Sequence, residues 1–106
     1  MKNFLIIPNR QKDTGLALTS HIKDTLIGMG AECHIYDGYY NDVSPIQVPK
    51  GTECILVIGG DGTILAAAGR LVGQNIPLLG INLGTLGFLA DVDLKELPET
   101  LRDLVD

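Results

Sequence analysis

The sequence has no tryptophan, two cysteines, two histidines and more acid than base, and each shortage removes a class of function. Cys33 and Cys54 each lie inside an apolar run rather than beside another thiol or a histidine, which reads as two reduced core cysteines. His21 and His34 stand alone, so no zinc-like ligand spacing exists and no metal-ligating residue is assigned. Eight Lys and Arg against thirteen Asp and Glu give a net charge of -5, with the basic residues scattered, so the footprint expected of a nucleic-acid binder is missing. An acidic chain can still bind an anionic nucleotide where backbone amides, a local cation or a metal supply the positive field. The apolar run at residues 4–7 stops at Pro8, far too short for a signal-peptide core or a membrane span, and a cytoplasmic location is the default expectation.

What is present fits one globular domain. The 106 residues are 45% hydrophobic and 20% charged, well away from the composition of disorder. No internal repeat or low-complexity tract interrupts them. Residues 4–7, 31–36, 54–58 and 77–81 read as strands, three of them as unbroken apolar runs. Leu18, Ile22, Leu26 and Met29 recur at helical spacing, with Asp13 or Thr14 available to cap the start and Gly28 or Gly30 the end. An Ala-rich helix is expected over residues 63–72. A last amphipathic helix is marked by Leu94, Leu97, Leu101 and Leu104, with Pro98 tolerated in its first turn. Residues 37–51 form a long polar loop in which Tyr39 and Tyr40 are expected to cluster locally. Apolar strands alternating with helices predict an α/β, three-layer fold: a mostly parallel sheet with helices on both faces, and ligands beyond the carboxyl ends of its strands.

Two glycine-rich turns fall at that edge. In the first, Gly59, Gly60 and Gly62 surround Asp61 ahead of Thr63, leaving amide N–H groups approachable by a ligand at a helix start. A carboxylate inside an anion-binding turn repels phosphate unless it has another task. Holding Mg2+ and accepting a proton from an attacking hydroxyl are the two that phosphoryl transfer offers. The plainer alternative is that Asp61 caps the following helix. The stretch matches neither the Gly-x-Gly-x-x-Gly dinucleotide fingerprint nor the P-loop with its lysine. In the second turn, residues 80–89, Asn82 can donate and accept hydrogen bonds and Phe88 can stack on an adenine or nicotinamide ring; the alternative is that Phe88 and Leu89 enter the core.

The succession Gly59-Gly60-Asp61-Gly62-Thr63-Ile64-Leu65-Ala66-Ala67-Ala68, then Gly80-Ile81-Asn82-Leu83-Gly84-Thr85-Leu86-Gly87-Phe88-Leu89, resembles the NAD kinases. The Gly-Gly-Asp-Gly element alone is also similar to that of phosphofructokinases and of diacylglycerol and sphingosine kinases, and the second turn separates the NAD kinases from them. The resemblance implies a phosphofructokinase-like N-terminal α/β domain over residues 1–106, with a β-rich C-terminal domain absent from this chain. It implies phosphorylation of the adenosine ribose 2'-hydroxyl of NAD to NADP, with ATP or polyphosphate as donor, a divalent cation such as Mg2+, and a homodimer or homotetramer. By this resemblance Asp61 matches the family's proposed general base, Gly62 would share its contact to NAD, and Phe88 and Leu89 match positions lining the NAD pocket. Gly59, Gly60, Thr63 and Asn82 complete the candidate nucleotide contacts. Some members carry a basic residue where this chain has Ala66. The competing expectation is a non-catalytic nucleotide-binding or regulatory module of the same fold.

Overall fold

The computed structural model describes residues 1–71, 73–83 and 97–106. Strand β1, Asn3–Ile7, has a partner on each side: it runs parallel to β2, Glu32–Ile35, and to β3, Cys54–Gly59. Strand β4, Leu78–Asn82, adds to β3 in parallel, so the sheet order is β2-β1-β3-β4. The unbroken apolar runs follow from this placement, because both faces of the inner strands are covered.

Alternation along β1 sorts the core into two layers. Phe4 and Ile6 pack with Ile22 and Leu26 of helix α1, Ala17–Gly28, and with Leu97, Leu101 and Val105 of helix α3, Leu97–Val105. Leu5 and Ile7 face the other way, onto Ile64 and Ala67 of helix α2, Asp61–Arg70. Helices thus cover both faces, as expected. Cys33 and Cys54 are free and buried in the first layer, and burial pushes both thiols up to about 11, against a smaller opposing pull from Lys23 on Cys33 and from the N-terminal amine on Cys54. They pair in register with the same residue, Phe4, from opposite sides. Two strand spacings, about 9.6 Å, therefore separate them, beyond the roughly 7 Å that a disulfide can bridge.

Element ends differ from expectation by one or two residues, each for a physical reason. Of the two candidate caps for α1, Asp13 serves: its carboxylate accepts the N–H groups of Leu18 and Thr19 and the Thr19 hydroxyl across a short 3-10 turn, Thr14–Leu16. Gly28 ends the helix, and Gly30 beyond it takes the left-handed φ of +88°. Helix α2 begins at Asp61 rather than Thr63, because Gly60 is its N-cap. Pro98 is the second residue of α3, where its missing N–H breaks no helical bond. Leu94 lies outside the described residues.

The connection from β2 to β3 carries no helix, yet it is not a loose polar loop. Ile46 is buried, and Tyr36, Tyr40 and Val48 pack with it against Leu5, Ile7, Ile55 and Val57. Two arginines fasten it. Arg70 donates to the Ser44 and Tyr39 carbonyls and to the Tyr36 hydroxyl, and Arg10 donates to the Tyr36 and Gly38 carbonyls. The expected tyrosine cluster divides: Tyr40 turns inward, while Tyr39 is half exposed, with the Arg10 guanidinium 6.0 Å from its ring centre. Among the described residues no helix is long and apolar enough to cross a membrane.

Candidate functional site

In the order β2-β1-β3-β4 the chain reverses direction across the sheet between β1 and β3. The connection after β1 leaves toward α1 on one face, and that after β3 leaves toward α2 on the other. Loops that diverge in this way open a crevice at the carboxyl edge of the sheet, where such folds bind ligands. Residues 8–13 form one wall and residues 59–63 the other.

The three glycines of the second wall do different things. A Cβ on Gly59 would lie 2.5–2.7 Å from the Thr63 side chain, so this position is closed to larger residues by the protein's own packing. A Cβ on Gly60 would come 3.0 Å from the Lys12 Nζ. Gly62, in the first turn of α2, would meet no described atom within 4 Å. Packing does not require a glycine there, and glycine inside a helix costs about 0.5–1 kcal/mol relative to alanine. Open backbone at Gly62 is what ligand approach would use. The first-turn N–H groups of Gly62 and Thr63 precede the first intrahelical bond, from Ile64 N–H to the Gly60 carbonyl.

Asp61 is the first residue of α2 and is partly exposed. Its charge suits the positive end of the helix dipole. Thr63 is buried, and its hydroxyl accepts a 2.8 Å hydrogen bond from Asn9 Nδ2. Asn82, also buried, ends β4 in register with Gly59, and Leu83 N–H donates to the Gly59 carbonyl, so β3 and β4 end side by side. Phe88 and Leu89, with Thr85, lie outside the described residues.

Sequence reasoning missed the other wall. Asn9 is 3% exposed and uses its whole side chain: Nδ2 reaches Thr63, and Oδ1 accepts the N–H groups of Gln11 and Lys12 at 3.1 and 3.0 Å. Asn9 thereby fixes the Lys12 backbone, and the Lys12 ammonium lies beside Gly60. The polar run after the first strand was visible in the sequence, but its meaning depends on β1 neighbouring β3, which periodicity does not reveal. Among the described residues no cluster of three or more His, Cys, Asp or Glu is placed to hold a metal. A magnesium ion needs fewer protein ligands than that when substrate phosphates supply oxygens, and the hard oxygen donor of Asp61 suits it.

Fold and crevice together define a doubly wound α/β domain of the kind that binds ligands at its switch point. The model of the ATP-NAD kinase N-terminal domain matches residues 6–106, and the chain belongs to that family. The NAD kinase of Lachnoclostridium phytofermentans is 44% identical over 109 residues, covering 98% of this chain and 38% of its own length. That of Lachnospira eligens is 41% identical, covering 99% and 38%, and that of Nitratidesulfovibrio vulgaris 39% identical, covering 99% and 35%. The chain thus spans less than two fifths of the length of these relatives.

Proposed function

We propose that the full-length protein phosphorylates the adenosine ribose 2'-hydroxyl of NAD, with ATP or polyphosphate as donor, and that Asp61 is its general base. The observation that carries this reading is a carboxylate in the first turn of α2, beside glycine backbone that packing does not need and opposite a lysine. Asp61 takes the 2'-hydroxyl proton as the oxygen attacks the terminal phosphorus. A new P–O bond forms, the bond to the leaving phosphate chain breaks, and its electrons stay on the leaving oxygen. First-turn amides hold charge spread over the transferred group. A Mg2+ brought on the phosphate chain would be held mainly by phosphate oxygens and would neutralise part of that charge, leaving the Asp61 carboxylate to accept the proton. Gly59, Gly60, Gly62, Thr63, Asn82, Phe88 and Leu89 belong to the nucleotide site in this reading, Thr63 by fixing the crevice wall. A homodimer or homotetramer in the cytoplasm is the setting that goes with it.

Replacing Asp61 by Asn in the full-length protein keeps the size and removes the proton acceptor. We expect kcat to fall by about 10²–10⁴-fold, with the KM for NAD changing much less. Activity within tenfold of wild type would overturn the general-base assignment.

A further inference from the structure

We infer that Lys12 is a phosphate-binding residue of this crevice, on a loop whose backbone Asn9 fixes. The inference rests on the phosphoryl-transfer reading for its ligand class, and on independent geometry for its location. Lys12 comes from the β1 side and Asp61 from the β3 side, so the ammonium and the glycine-rich turn converge across the switch point. The Lys12 side chain itself is exposed, and its Nζ lies beside the turn, 3.0 Å from where a Cβ on residue 60 would stand. Its backbone is not free to wander. Asn9 Oδ1 accepts the Lys12 N–H at 3.0 Å, and Asn9 Nδ2 bonds Thr63 at 2.8 Å, fixing the lysine-bearing loop to the helix that bears Asp61. Asn9 is 3% exposed, and its bond to Thr63 is buried, while the one to Lys12 is half-buried.

Electrostatics argues in the same direction. The start of a helix carries about half a positive charge, and a cation placed there is unfavourable by itself. Here an ammonium sits against the N-cap of α2. One carboxylate, Asp61, offsets part of that field, and the remainder attracts an anion. A phosphate group approaching over Gly60 and Gly62 would meet the ammonium on one side and N–H groups on the other. Both the terminal phosphates of the donor and the diphosphate of NAD have this chemistry.

The test uses the full-length protein with Lys12→Met and Lys12→Arg. Steady-state kinetics give KM for ATP and for NAD, and inorganic tripolyphosphate serves as a competing anion. We expect Lys12→Met to raise one KM by about tenfold or more, equivalent to about 1.4 kcal/mol, and Lys12→Arg to recover most of the loss. A rise in the ATP KM with weaker tripolyphosphate inhibition assigns Lys12 to the donor; a rise in the NAD KM assigns it to the dinucleotide. Both KM values and the inhibition constant staying within twofold, whatever happens to kcat, would overturn the inference. Absence of NAD phosphorylation by the wild type would instead refute the functional reading. Calorimetric binding of tripolyphosphate to wild type and Lys12→Met would then still decide the role of Lys12, equal affinity counting against it.

Discussion

Asp13 is a carboxylate at 5% exposure that accepts three hydrogen bonds, two from backbone N–H groups and one from a hydroxyl. Burial raises its pKa, but the Thr19 hydroxyl and the Leu18 and Thr19 amides outweigh that, and the net shift is downward. A carboxyl group with a lowered folded-state pKa stabilises the fold above its unfolded pKa, and the contribution is lost as pH falls through the folded value. Asp13→Asn keeps the shape and removes the charge. It should cost about 1–2 kcal/mol near neutral pH, and the gap to wild type should close as pH falls below the ordinary Asp value and through the lowered folded-state value. Urea titrations at several pH values measure it, and a gap that stays constant with pH would show that the charge contributes nothing. The cap was legible as one of two candidates, Asp13 or Thr14. What decides between them is the turn of residues 14–16, where Gly15 and Leu16 both take positive φ and carry the chain back over the carboxylate.

At the level of elements, α2 lies so close to β4 that the second layer of the core depends on a missing side chain. A Cβ on Gly80 would fall 2.5 Å from Ile64 Cδ1, the tip of a side chain that is itself 6% exposed. Gly80→Ala should destabilise the domain by about 1–3 kcal/mol through overpacking. Ile64→Val removes the atom in the way, so in the Gly80→Ala background it should restore stability, although alone it should cost about 0.5–1.5 kcal/mol. A double-mutant cycle by chemical denaturation should show coupling of about 1 kcal/mol; additive effects would contradict the close approach. The strands and helices were readable from apolar runs and helical spacing, because burial on both sheet faces writes itself into composition. Ile46 was not, since one buried residue inside a polar connection has no period. Nor was the wall made by Asn9 and Lys12. Strand order is a property of long-range pairing, and only with β1 beside β3 do residues 8–13 face residues 59–63. Asp61 was legible because a carboxylate among glycines is chemically odd wherever it sits.

For the whole molecule, closure of the core and completeness of the site are separate questions. Residues 1–106 cover both sheet faces themselves: α1 and α3 close one layer, and α2 with the Ile46 segment closes the other. The first residue is tied to the last helix, the Met1 amino group donating to the Leu104 and Val105 carbonyls at 2.8 and 3.2 Å. Such a chain has what it needs to fold cooperatively by itself, and urea denaturation should give a single transition coincident by fluorescence and circular dichroism. Catalysis is another matter. In the proposed reading the crevice presents a carboxylate, an ammonium and amides to a phosphate, but holding two nucleotides for in-line transfer requires their rings and sugars to be positioned as well. The related NAD kinases have more than twice this length. Because positioning alone can be worth about 7–11 kcal/mol of a barrier, residues 1–106 should phosphorylate NAD at least about a thousandfold more slowly than the full-length protein. A coupled assay for NADP with equal molar amounts of the two proteins compares them directly. Equal rates would mean that the crevice between β1 and β3 is the entire active site; a folded but silent domain would place the remaining determinants in the rest of the protein.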